Sequence, residues 1–319
     1  MKSLGLRALH AIVLLLSVSV LSFLLVRLAP GDYFQSMKLN PQISASAVTA
    51  LRSQYGLDKG SVMLYWRWLE SVLKGDGGFS FAYNCAASTI LWPRARNTLV
   101  LAASATFLAW LIALPAGIVT AARKEWLSDL LAGTTIALLL AVPELVAGLA
   151  LLVLAVHTGL PAGGMVSLQA LQQGFWYQIK DTARHLFLPA TCLSAGLLPL
   201  LLSHVRAAMR DALRSPFITA AYSLGIPFRR LLLRHAFRAA LNPLISLFGL
   251  SIGLLMSSSL VVESVFSWPG LGQLMLQAIN DRDVFLIIDS AMLAATFLIA
   301  GNFLADAALY LSDPRIRIE

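Results

Sequence analysis

Residues 206–238 read RAAMRDALRSPFITAAYSLGIPFRRLLLRHAFR and lie between two long apolar segments. Arg206, Arg210 and Arg214 lead into the centre of this stretch, and Arg230, Arg234 and Arg238 lead out of it. Both triplets step by four residues, which places each on one face of a helix. From Ser215 to Phe228 there is no charge at all. Ser215-Pro216 reads as a helix start, because serine suits the N-cap and proline the first helical position. Gly225, followed by Pro227, reads as a stop. The enclosed helix, residues 216–224, would be about 13 Å long. A helix that short is marginal alone in water, so something must pack on Phe217, Ile218, Tyr222, Leu224 or Ile226.

The rest of the chain supplies the setting. Of 319 residues, 58% are hydrophobic and 13% charged, with a mean hydropathy of +0.76. A soluble domain carries about 25% charged residues, so the solvent implied here is a bilayer. Six stretches reach the length of about 20 apolar residues that a span needs: 8–28, 98–121, 130–156, 186–207, 239–262 and 284–311. Pro115, Pro143, Pro189 and Pro199 interrupt them as expected kinks, tolerated where neighbouring helices re-satisfy the freed backbone. The fold class predicted is an all-α integral membrane protein with six transmembrane helices. Lys2 and Arg7 ahead of the first apolar run resemble an export signal. That run is long enough to span and lacks a small-x-small cleavage pattern, so it reads as a retained first helix.

Charge placement orients the spans. An even number puts both termini on one side, together with Arg123, Lys124, the arginines of 206–238, Arg315 and Arg317. That side holds thirteen basic and five acidic residues, an excess of eight that equals the whole net charge. The excess marks it as cytoplasmic, and removes nucleic acid as the explanation of the basic composition. The predicted divisions are a first helix (1–29), an extracytoplasmic segment (30–96), a five-helix core (97–312) with its cytoplasmic loop (208–238), and a tail (313–319). Tyr65, Trp66, Trp68 and Trp92 in the outer segment suit the headgroup level, so the segment reads as an interfacial cap over the bundle.

Several chemistries are missing or imitated. The dipeptide Gly-Lys occurs nowhere, so there is no Walker loop. The five histidines are scattered, and Cys85 and Cys192 build no disulfide framework or zinc spacing. Residues 249–253, GLSIG, match the nucleophile elbow around Ser251, but an elbow needs a strand before the serine. The same letters, with Ser257, make a small-residue stripe at Gly249, Gly253 and Ser257 that brings helix backbones close. Among acids within spans, Asp289 and Asp306 fall near span ends, within reach of water, and Glu144 alone reads as a mid-helix carboxylate. A secondary carrier built on Glu144 is the rival reading, and an intramembrane serine hydrolase at Ser251 a weaker one.

What, then, packs on the neutral helix? Interfacial helices carry basic residues on their own polar face, and this one has none. A partner protein that takes it as a ridge in a groove fits better. Residues 219–225, TAAYSLG, resemble the Glu-Ala-Ala-x-x-x-Gly cytoplasmic loop of the permease subunits of bacterial ABC importers. Ala220, Ala221 and Gly225 match, and Thr219 stands where the motif has its acid. The stretches RLAPGD, YGLD, GDGGFS, VESVFSWPGLGQLMLQAINDRD and DPRIR are similar to the dipeptide, oligopeptide and nickel permease family, over essentially the whole chain.

The resemblance implies a type I importer permease fold in a bacterial inner membrane. It implies a second related permease, two cytoplasmic ATPases that bind ATP and Mg, and an external solute-binding protein. This chain itself would then hold no cofactor or metal and carry no catalytic residue. The implied coupling helix docks the ATPase through Phe217, Thr219, Ala220, Ala221, Tyr222, Leu224 and Gly225. The six arginines of the two stripes are expected at the inner headgroups.

Overall fold

In a hydrocarbon solvent the backbone must satisfy itself, and long apolar runs therefore become helices. The computed structural model describes residues 2–28, 33, 46, 60–123 and 126–312. The tail 313–319, the YGLD motif and most of the helix expected before it lie outside the described residues. In chain order come α1 (Lys2–Leu28) and α2 (Ser61–Leu73), then a small antiparallel ladder of β1 (Phe79–Ser80) with β2 (Cys85–Ala86). There follow α3 (Ala87–Ala122), α4 (Trp126–Ala141), α5 (Glu144–Thr158), α6 (Leu168–Leu171) and α7 (Phe175–Leu213). The short α8 (Pro216–Ser223) precedes a helix that starts as α9 (Phe228–Arg230), widens through a π-helical turn (Leu231–Ala236) and continues as α10 (Phe237–Val265). Last are α11 (Leu271–Asp281) and α12 (Val284–Ser312).

Five of these helices are long and apolar enough to cross a membrane, and the bent pair α4–α5 raises the number to six if it crosses as one unit. That bend corrects the expectation of a kinked but continuous span over 130–156. The two helices meet at 90°, with Pro143 extended at the start of α5. Proline has no N–H to donate and its ring displaces the carbonyl one turn back, so the ladder ends there. Pro189 and Pro199 stay inside α7, and Pro243 inside α10, without ending either helix. Helix α3 begins at Ala87, within the segment assigned from sequence to the outer loop.

The chain divides into two compact units. The first comprises Met1–Thr98 and Pro269–Thr296. Its core joins Phe23, Leu64, Trp68, Phe81, Phe285 and Ile288. Trp68, expected at the headgroups, is instead only 1% exposed. Its indole donates to Asp289 Oδ1 at 2.8 Å. Asp289, expected within reach of water, is buried with it, and its Oδ2 has no partner among the described residues. Gly77, at φ +69°, lies so close that a Cβ there would stand 2.7 Å from that oxygen. Nearby, Asp283 accepts from the Ser80 hydroxyl at 2.7 Å and from the Ala82 amide at 3.1 Å. These pairings seat residues 68–82 on the start of α12. Trp66 and Trp92 remain exposed.

The second unit comprises Leu99–Trp268 and Phe297–Glu319. Leu101, Ala105, Ala109 and Ala113 form a fully buried stripe on α3, in one cluster with Leu193, Leu197 and Leu201 of α7 and Leu255 and Val262 of α10. The stripe continues to Gly117, where a Cβ would stand 2.5 Å from Val205 Cγ1. Gly249 and Gly253 place α10 against α12 in the same way. A Cβ on Gly249 would meet Ala305 Cβ at 2.2 Å, and one on Gly253 would meet Leu298 Cδ1 at 2.0 Å. The Ser257 side chain lies outside the described residues. Ser251 sits in unbroken helix, donating to the Phe248 carbonyl at 2.6 Å and accepting from the Trp110 indole at 3.4 Å. The strand that a nucleophile elbow requires is therefore replaced by helix.

Overpacking a close helix contact costs about 1–3 kcal/mol. Gly249→Ala is expected to lower the melting temperature of the purified subunit in detergent, with Ala305→Gly restoring much of the loss. Gly253→Ala should cost less, because Leu298 can turn its terminal methyl aside whereas Ala305 has nothing to turn. In the first unit, Trp68→Phe removes a donor from a buried carboxyl group at a cost of about 1–3 kcal/mol. Faster amide exchange across residues 78–86 is the expected signature.

Candidate functional site

Helix α8 has eight residues, and both of its ends are set locally. Ser215 holds the extended conformation of an N-cap, with Pro216 at the first helical position. Its hydroxyl, expected to cap α8, turns back to the Ala212 carbonyl and ties α8 to the end of α7. At the other end Gly225 adopts φ +82°. Its amide donates to the Tyr222 carbonyl at 3.0 Å, and the Ile226 amide to the Ala221 carbonyl at 3.3 Å. This is the Schellman arrangement, which needs a left-handed residue that glycine adopts without strain.

The two faces of α8 differ. Ile218 is buried among Val205, Met209, Leu231 and Ala236, with Ala221 and Ile226 packed beside them. Phe217, Thr219, Ala220, Tyr222, Leu224 and Gly225 are exposed. Leu224 is 82% exposed and Tyr222 63%. Of the seven residues expected to dock a partner, six are therefore on the outer face, and Ala221 is turned towards the bundle. Phe228, also exposed, extends the apolar surface.

The arginine stripes are less uniform than their spacing predicts. Arg206 and Arg210 both donate to one carboxylate oxygen of Asp129, in the first turn of α4. The side chain of Arg206 is only 13% exposed, so these two are committed within the protein, not spread on headgroups. Arg214, Arg230, Arg234 and Arg238 are exposed. The second stripe also crosses the π-helical turn, whose i→i+5 hydrogen bonds break the constant step that put Arg230, Arg234 and Arg238 on one line.

Asp129 is the residue that sequence reasoning missed. It was one acid in a charge count, with no spacing to connect it to arginines 77 and 81 positions away. Asp129 and Arg210 line a cleft of about 1120 Å³ beside α8, with Arg123, Arg214, Thr219 and Tyr222. Thr219, where the resembled motif carries an acid, thus looks into a basic cleft whose carboxylate comes from α4. On the other side of α7 a smaller groove of about 430 Å³ runs along α10, between His204, Asp211, Phe217 and Pro243.

The remaining ionisable candidates lie elsewhere. Asp289 belongs to the buried pair with Trp68, and Asp306 is half-buried on α12. Glu144 opens α5, half-buried, directly after the break at Pro143. Among the described residues no group of three or more histidines, cysteines or acids is placed to hold a metal ion.

Comparison with known proteins shows the family. Residues 113–318 match the family described as binding-protein-dependent transport system inner membrane component, and residues 1–109 match its N-terminal counterpart. The oligopeptide transport system permease protein AppB of Bacillus subtilis is 34% identical over 97% of each chain. The glutathione transport system permease protein GsiC of Salmonella paratyphi A is 30% identical, over 98% of this chain and 97% of its own. The dipeptide transport system permease protein DppB of Escherichia coli is 28% identical, over 95% of this chain and 94% of its own. Helical throughout its spans and matched along nearly its full length, this chain belongs to the family of permeases that form the inner membrane component of binding-protein-dependent transport systems.

Proposed function

We propose that this chain is a path-forming permease subunit of an ATP-driven importer for peptide-like solutes, coupled to a cytoplasmic ATPase through α8. The single observation that carries the coupling role is the two-sidedness of α8. Its inner face is locked to α7 and to the π-helical turn through Ile218, Met209 and Leu231. Its outer face offers Phe217, Tyr222 and Leu224 with no charge of its own. Such a ridge suits a groove on another protein, which gains apolar burial without desolvating a charge. A push on α8 is passed to α7 and α10, because close-packed interiors transmit displacement.

The solute class rests on the relatives, which are named for oligopeptides, dipeptides and glutathione. In this reading the chain pairs with a second permease, two ATPases that hold ATP and Mg, and a solute-binding protein on the outer side. Both termini face the cytoplasm, since Arg123 and the arginines around α8 mark that side. The chain contributes no catalytic group: hydrolysis belongs to the ATPases.

Phe217→Asp and Leu224→Asp place a charge on the docking ridge without touching its inner face. Each is expected to reduce the ATPase that co-purifies with the permease at least about tenfold, while membrane insertion is unchanged. Normal co-purification together with normal uptake would overturn the docking role. Uptake that needs no ATPase and collapses with a protonophore would replace the importer reading with a carrier.

Asp129→Asn leaves Arg206 and Arg210 without a counter-charge and is expected to weaken the inner end of α7. Thr219→Glu returns a carboxylate to the same cleft and should recover part of the lost thermal stability. Equal melting curves for the single and double variants would refute the compensation.

A further inference from the structure

Glu144 stands at an unusual depth. Across from it on α7 is Gly196, where a Cβ would be 3.8 Å from Glu144 Oε1. At 1.5 Å per residue Gly196 is about 18 Å along α7 from Arg184 and about 15 Å from Arg206. Those arginines flank a stretch of α7 that holds no other charged residue than the ionisable histidines 185 and 204. Their separation of about 33 Å is close to the hydrocarbon thickness of a bilayer, about 30 Å. Counted along α7, the Glu144 carboxyl group therefore lies about midway through the apolar stretch between these two arginines.

Two features set this point apart from the rest of the crossing. First, the side chain of Glu144 is half-buried, and among the described residues it has no hydrogen-bond or ion-pair partner. Its backbone carbonyl accepts from the Cys192 thiol at 3.7 Å. A carboxyl group open to lipid at this depth is strongly disfavoured, so its open side faces a path or protein. Second, the crossing is broken here, at Pro143, by 90°. Irregular backbone at membrane depth is tolerated where it is enclosed in protein or lines a cavity. Gly196 adds room, leaving the carboxyl group opposite a patch without a side chain.

We infer that Glu144 is the counter-charge in the translocation path for a primary ammonium on the solute, the free α-amino group of a peptide-like molecule. An ammonium offers three donors and a compact charge to a carboxylate that has no other partner. In a low-dielectric lining that attraction is far stronger than in water. This inference rests on the proposed function and adds to it the group by which the solute is held.

The test uses the complete importer with its binding protein in proteoliposomes. Uptake is measured for a dipeptide with a free amino group and for its N-acetylated form. Glu144→Gln is expected to lower uptake of the free-amine peptide about tenfold, the loss of one charge-assisted hydrogen bond, and to change uptake of the acetylated form less than about twofold. Expressing each variant relative to wild type cancels any preference of the binding protein. Glu144→Asp keeps the charge and should restore most of the free-amine uptake, which a purely structural role for the longer side chain would not. Glu144→Gln that leaves free-amine uptake unchanged, or that lowers both peptides equally, would overturn the inference alone. A wild-type importer that moves neither peptide would overturn the proposed solute class and this inference with it.

Discussion

Backbone amides within a hydrocarbon layer have no partner but one another, and the architecture depends on that constraint. It turns the long apolar runs into helices and leaves side-chain size to decide how closely they approach. Ala105, Ala109 and Ala113 on α3 are buried against neighbouring helices, and Gly117 on α3 and Gly249 and Gly253 on α10 leave no room for a Cβ. Helices that share a solvent as apolar as themselves gain little by hydrophobic burial against each other. Their association rests on close packing, and small residues supply it.

Three irregular features sit where that constraint is relaxed. At Gly225 the chain leaves α8 through a left-handed turn whose amides find the last carbonyls of the helix. In the π-helical turn after Arg230 the ladder widens, as it frequently does at working sites. At Pro143 it stops altogether, directly before the Glu144 carboxyl group. A carboxylate at the centre of a bilayer costs about 2.5–3.5 kcal/mol on insertion scales.

The outline of the fold was legible because its signals are long or local. Apolar runs of twenty residues, the Ser-Pro start and the glycine stop of α8 are each read within one contiguous stretch. The fate of each proline was not legible. Pro143, Pro189 and Pro199 all interrupt apolar text, yet two remain within α7 and one ends α4. The outcome depends on whether neighbouring helices hold the weakened turn straight. Trp68 misled for a related reason, since an indole suits the headgroup layer as well as a buried acceptor such as Asp289. Part of the outer segment lay within α3, because nothing in its text separates a helix that ends at the interface from one that continues.

By itself, then, the amino-acid sequence determined the solvent, the helical class and the position of the short neutral helix. These follow from composition and from spacings of three, four or twenty residues. The tertiary structure alone decided which face of α8 is locked and which is free. It also drew Asp129 to Arg206 and Arg210 and gave α12 to the glycine stripe of α10. It placed Glu144 opposite Gly196 as well. The last three join residues tens of positions apart, and contacts at such separation are set by how helices pack, which no local spacing encodes.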